Sequence, residues 1–248
     1  MLRVATFNIR NGRAHDGLQS WPFRWRLTVR AIAALDADVV GLQEVFAFQR
    51  RTIMRGLPGH HSVGRGREAD GSGEQCPVVA RTRSARIVET RTRWFGATPD
   101  VPGTRLPNAM FPRTATVCVV EVPGWRSRVQ IANVHLDAHD EGRRAESVEQ
   151  LVSFVDLAAP CVLLGDFNTG PDSTTLAPIA AAGFRSALPA GAGGTEHEFT
   201  GRTDGDRIDH VFVNASVAVR AATVRTDLRR GRRLPSDHWP VTADLTPA

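Results

Sequence analysis

The chain has 248 residues, 42% hydrophobic and 23% charged, the make-up of a globular protein with a sizeable core. No apolar run approaches the roughly 20 residues of a membrane helix, and "MLRVATFNIRNG" lacks a charged-then-apolar leader, so neither a membrane span nor export is expected. The net charge is +5 and all 31 basic residues are arginine; tyrosine is absent too, a bias that genome composition explains more readily than a polyanionic partner.

In chain order, "LRVATFNI" reads as a strand ending at Asn8. "FRWRLTVRAIAALD" places Trp25, Val29, Ile32, Ala33 and Leu35 at helical spacing. "DVVGLQEVF" is near-continuously apolar, as a fully buried strand is, until Gln43 and Glu44 break it. The glycine-rich, charged "GRGREADGSGEQ" predicts a flexible loop, with "CPVVART" and "ARIVETRTRWF" following as strands. After the proline-punctuated "TPDVPGTRLPNAMFPR", "TATVCVVEV" and "RVQIANVHL" form a predicted hairpin around "PGWRS". "GRRAESVEQLVSFVDLA" is an amphipathic helix with Val148, Leu151, Val152 and Val155 on one face. "CVLLGDFN" is a buried strand, and Asp172 or Ser173 caps the helix after it. "RIDHVFV", "SVAVRAATV" and "PVTADL" complete the strands. Residues 1–248 show no repeat and no linker long enough to separate folding units, and are read as one domain. Cys76, Cys118 and Cys161 have no metal-ligand spacing; Cys118 and Cys161, within apolar strand patterns, fit core positions, and the set suits a reducing cytoplasm.

Polar residues stand where these strands end: Asn8, Glu44, His135, Asp166 with Asn168, Asp209, and Asp237 with His238. Each singly is most simply a turn former or cap. On an extended chain Asp166 and Asn168, two positions apart, would point the same way. The histidines His15, His60, His61, His139 and His197 fall in loop-like stretches, His60–His61 as a solvated turn. Asp137 and Asp140 read as surface carboxylates.

Taken in order, "TFNIRNG", "GLQEV", "VHLD", "GDFNTGPDS", "RIDHVFV" and "PSDHWPV" resemble the motifs of the endonuclease/exonuclease/phosphatase superfamily, over Asn8 to Pro240. "WPFR", "GEQCPVV" and "TPDVPG" are similar to segments of its compact bacterial hydrolases with a deadenylase-like core. The resemblance implies a four-layer α/β sandwich, two mixed β-sheets face to face with helices outside. It also implies a divalent-metal-dependent phosphoesterase that attacks phosphorus in line with an activated water.

Magnesium, or manganese in its place, takes oxygen ligands and keeps several waters. Glu44 is the expected direct ligand of one ion, completed or supported by Asn8 and Asp237. Asp166 would activate the water and the Asn168 amide would donate to the phosphoryl oxygen, since an ionised carboxylate cannot donate and an amide cannot act as base. Asp209 and His238 match the family's carboxylate–imidazole pair, and His135 a histidine near the leaving group; spacing does not decide which histidine is the general acid. Arg10, where some relatives carry an acidic second metal residue, implies a single ion. His210, in place of an aromatic residue, is expected to alter packing alone. Arg24, Arg113 and Arg143 are candidate phosphate contacts. A nucleic-acid strand is the first choice of substrate because arginine contacts phosphates along a backbone. A small phosphorylated metabolite is the alternative, and a silent binding module on the same fold is a distant third. No membrane or obligate protein partner is expected.

Overall fold

A strand that is apolar up to its last residue has no face to give to water, and "VVGLQ" is buried at every position, Gln43 included. The computed structural model describes residues 1–248. Its strands, in chain order, are β1 (Leu2–Asn8), β2 (Val39–Gln43), β3 (His60–Val63), β4 (Val78–Arg81), β5 (Arg86–Trp94) and β6 (Thr114–Glu121). Then come β7 (Val129–His135), β8 (Cys161–Asp166), β9 (Arg185–Ser186), β10 (Asp209–Val213), β11 (Val217–Val224) and β12 (Val241–Pro247). They form two six-stranded sheets, ordered β11-β12-β1-β2-β4-β3 and β5-β6-β7-β8-β10-β9. Each sheet has one parallel pair at its centre, β1 with β2 and β7 with β8, and is otherwise antiparallel.

The inner faces meet in a cluster of 22 buried apolar residues, among them Val4, Val39 and Val78 against Ile131, Val162 and Leu164. Each such side chain contributes about 1.5–3 kcal/mol when fully buried, so this layer is the largest single source of cohesion, ahead of two outer clusters of 16 residues each. On one outer face α1 (Trp21–Ala34) and α2 (Ala47–Gly56) cover Phe7 and Leu42. On the other, α3 (Glu141–Ser153) and α4 (Ala177–Ala181) cover Val134 and Leu163. The expected four-layer sandwich is the fold observed. No helix is long and apolar enough to cross a membrane.

A polar tie crosses the apolar layer. Gln43 Nε2 donates to Asn133 Oδ1 at 2.6 Å, and Asn133 Nδ2 donates to the Leu42 and Pro77 carbonyls. An unsatisfied partner there would cost about 1–3 kcal/mol, so the bonds favour one alignment of the sheets over a slipped one. The close approach requires Gly41, where an added Cβ would stand 2.1 Å from Leu164 Cδ1.

Some local expectations change. His60 and His61 lie on β3, an edge strand paired with β4, and not in a turn. Helix α2 and the two-residue β9 are not among the sequence expectations; α2 buries only Gln49 and Ile53, too few positions to show a periodic stripe. The glycine-rich stretch is folded on itself through Arg67 N to the Glu74 carbonyl and Glu68 N to the Ser72 carbonyl, with Arg67 buried. Of the two candidate caps, Ser173 accepts the bond, from Thr175 N.

Candidate active site

Parallel pairing sets the C-terminal ends of two strands side by side, and both sheets use it at the same rim. In β1–β2, Asn8 lies opposite Gln43, so Glu44 leaves the sheet beside Asn8. In β7–β8, His135 lies opposite Asp166, and antiparallel β10 sets Asp209 opposite Asp166 from the other side. The turn before β12 adds Asp237 and His238. Glu44, His135, Asp166, Asn168, Asp237 and His238 all line one cavity of about 230 Å³. Asp209 stands buried behind it.

Asn8 links the two sheets' contributions. Its amide donates to Glu44 Oε1 at 3.0 Å and to Asp166 Oδ2 at 2.9 Å, while its oxygen accepts from Arg10 N at 2.9 Å. Asn8 thus orients two carboxylates through its amide, and its oxygen, which takes one bond, keeps a lone pair as the Glu44 oxygens do. Asp166 and Asn168 do not share an extended chain. The strand stops at Asp166, Asn168 turns left-handed at φ 51°, and its N–H closes a turn on Asp166 Oδ1 at 2.9 Å. One amide hydrogen of Asn168 goes to the Leu136 carbonyl at 3.1 Å, which fixes the side chain and leaves the other hydrogen for a ligand.

Burial, reinforced by the charge of Asp209, raises the Asp166 carboxyl to about 7. Asp209 Oδ2 accepts from His238 Nδ1 at 2.8 Å. Burial works against a charged His238, but Asp209 by charge and hydrogen bond, then Asp166 and Asp237, hold its pKa well above the usual histidine range. His135, its Nε2 3.7 Å from Asp166 Oδ2, goes the other way: burial and the charges of Arg113, His238 and Arg67 lower it well below that range. The site therefore sets a cationic imidazole beside a neutral one.

The cluster can be tested for a divalent ion. Asp166, Asp209 and His238 present ligand atoms within 4.8 Å of one another, but His238 spends Nδ1 on Asp209 and is cationic, so this trio is a hydrogen-bonded relay and a poor cage. Glu44 is different. Each of its oxygens takes one bond, from Asn8 Nδ2 and from Asn11 N, and each keeps a lone pair. With Asp237 it offers a hard cation the oxygen donors that such an ion prefers, so the residues fit.

The three arginine expectations divide. Arg24 is 3% exposed and donates to the carbonyls of Gln19, Ile9, Arg10 and Pro235. It braces the loops around the site and does not face the cavity; burial lowers it to about 10. Arg143 is drawn to Asp137 at 3.1 Å and to Asp140, outside the cavity lining. Arg113 does line the cavity, its pKa lowered by burial and then by Arg67. Asp137 is correspondingly no surface carboxylate. It is 7% exposed and accepts from His139 N, Asp140 N and Arg143 Nε, while Asp140 caps α3 through Arg143 N. His210 packs as expected, edge-on to Phe167 and bonded to the Thr169 carbonyl at 2.8 Å.

Several site residues have contacts that the sequence does not signal. Arg10 pairs with Asp16 and, at 3.4 Å, with Asp237. Arg67 pairs with Glu74 at 2.7 Å on the cavity wall. Thr195 Oγ1 accepts from Asp209 N while its carbonyl accepts from Trp239 N, so one residue holds both sides of the Asp209–His238 pair. His197 sits in a loop as expected but is fully buried against Trp239, its pKa lowered by burial to about 4. Nothing in the glycine-rich stretch around Thr195 distinguishes it from an ordinary loop.

Residues 5–238 match the Endonuclease/Exonuclease/phosphatase family. Among solved structures, an endonuclease/exonuclease/phosphatase family protein of Bacteroides thetaiotaomicron is 28% identical, with TM-score 0.90 over 98% of this chain and 97% of that one. A mannosyl-6-phosphatase of the same organism is 27% identical, with TM-score 0.87 over 99% of this chain and 100% of the other. TDP2 of D. rerio, complexed with a single-strand DNA product, is 15% identical with TM-score 0.77 over 99% and 98%, a likeness of fold alone. No curated protein matches the chain. With the family match running from the first strand to the Asp237–His238 turn, the chain belongs to the endonuclease/exonuclease/phosphatase family, hydrolases of phosphoester bonds.

Proposed function

We propose that this protein is a magnesium-dependent phosphatase of a compact phosphate monoester. The observation that carries the reading is the charge around the cavity. Arg113 and His238 supply cations for about one phosphate group, Arg67 and Arg10 being paired with Glu74 and with Asp16 and Asp237, and the same wall carries Glu74 and Glu196. A nucleic-acid strand would bring its neighbouring phosphates against those carboxylates. The arginines that favoured a strand are engaged elsewhere, Arg24 with backbone carbonyls and Arg143 with Asp137. The mannosyl-6-phosphatase relative supports a sugar monoester in particular. Three buried, unpaired cysteines suit a cytoplasmic setting.

Glu44 and Asp237 would hold one divalent ion, with Asn8 fixing the Glu44 carboxylate. Such an ion neutralises charge on the phosphate oxygens. Asp166, its carboxyl near neutrality, takes the proton of the attacking water. Asn168 donates its free amide hydrogen to a phosphoryl oxygen as charge builds there. His238, kept cationic by Asp209, is the charged proton donor of the site, and His135 takes part only as a neutral ring.

Phosphate release from glycerol phosphate and a hexose 6-phosphate should be compared with cleavage of a labelled oligonucleotide, in magnesium and in chelator. The expected result is metal-dependent monoester turnover with kcat/KM about 100-fold above that for the oligonucleotide, about 2.7 kcal/mol of discrimination. Better cleavage of the oligonucleotide would overturn the reading.

A further inference from the structure

Two residues on the cavity wall have no part in the phosphate chemistry, Phe111 and Glu196. Resting on the monoester reading above, we propose that they form a leaving-group subsite and that it takes a sugar ring. Phe111 is 43% exposed, although most large apolar side chains of the chain are buried. Its ring is braced, with the Arg67 guanidinium 4.2 Å from the centroid. Arg67 is itself fixed, paired with Glu74 at 2.7 Å and accepting from Trp94 Nε1 at its carbonyl at 2.6 Å. A rigid aromatic surface is therefore presented to the site at little entropic cost on binding. The C–H face of a pyranose, apolar on one side and ringed by hydroxyls, suits such a surface.

Glu196 supplies the complementary chemistry. Its backbone N donates to the Asp206 carbonyl at 2.9 Å, and the residue bridges across to His238, which holds it at the edge of the catalytic pair. The residue lines the cavity, where burial raises its carboxyl pKa and the charge of His238 lowers it. An ionised carboxylate only accepts hydrogen bonds and repels a second phosphate, so whatever gains from it must be a donor of low negative charge. The hydroxyls of a sugar meet both conditions. A donor group facing Glu196 and a C–H face on Phe111 together describe a hexose more closely than a simple polyol, which lacks the ring, or an aryl alcohol, which lacks the hydroxyls.

The test uses the full chain with magnesium and measures kcat/KM for a hexose 6-phosphate, glycerol phosphate and a nucleoside monophosphate. The wild type is expected to prefer the hexose ester about 10-fold over glycerol phosphate. Phe111→Ala and Glu196→Ala should each shrink that preference about fivefold or more, chiefly through KM, while Phe111→Tyr retains it. Melting curves establish that each variant is folded. Equal losses on all esters, or a preference that survives both substitutions, would overturn the subsite. A nucleoside monophosphate hydrolysed better than the hexose ester would overturn it as well. Monoester hydrolysis with no sugar preference would leave the phosphatase reading standing and remove this one; no monoester hydrolysis at all would remove both.

Discussion

Asp166→Asn separates what this carboxylate does for catalysis from what it costs the fold. The folded pKa of about 7 against an ordinary 3.8 means the native state holds the proton more tightly than the unfolded chain does. Below about 3.8 both states are protonated and the group is neutral to stability. As pH rises towards 7 the unfolded chain ionises first, so the native state loses about 1.36 kcal/mol per unit, about 4 kcal/mol in all. Asparagine cannot ionise and escapes that loss. Against it stands the bond from Asn8 Nδ2, which would meet an amide donor or force a reorientation, worth about 1 kcal/mol. In chelator at pH 8 the variant should therefore be more stable by about 2–3 kcal/mol, an increase in Tm of about 4–12 °C. At pH 5 the difference should shrink to within about 1 kcal/mol. Turnover with magnesium should fall by about 10²–10⁴. Urea unfolding at the two pH values, paired with phosphate release, reads both effects. A variant less stable than wild type at pH 8 would show that burial does not strain this carboxylate and would refute the argument.

Asp209→Asn removes the charge that keeps His238 protonated, so the alkaline limb of kcat should move to lower pH; an unmoved limb in the pH–rate profile would exclude His238 as the acid. Glu44→Gln should weaken magnesium binding by about 10–100-fold in calorimetry without loss of fold, since Asn8 or Asn11 can still bond the amide oxygen. Arg24→Ala should cost about 3 kcal/mol or more by leaving buried carbonyls without donors, read as a drop in Tm; a rise in KM at unchanged Tm would restore it to the phosphate site. Gly41→Ala should destabilise by about 1–3 kcal/mol, because its new methyl meets Leu164 and Asn133 where the sheets are closest; unchanged unfolding midpoints would mean the sheets can move apart there.

Much of this protein was legible in one dimension. The strands β1, β2, β7 and β8 declare themselves by apolar runs, and the residues that end them, Asn8, Glu44, His135 and Asp166, are the residues that meet at the rim. Local patterning sufficed because a strand's burial is written in its own side chains, and polar residues at a strand end can be spotted without knowing their neighbours. The arginines were not legible in this way. Arg24, Arg113 and Arg143 look alike in sequence, yet one is locked among backbone carbonyls, one faces the cavity and one is held by Asp137. Asn168 reached the site through a left-handed turn that an extended reading could not supply. The charge state of each histidine, too, depends on groups far along the chain, as His238 depends on Asp209. Residue order was enough for the layers and the family, through the motifs shared with that family, and for the residue types that meet at the rim. Which charges face one another emerged only on folding, because Asn8 and Asp166 become hydrogen-bonded neighbours across 158 positions, and electrostatic strength falls with distance in space, not along the chain.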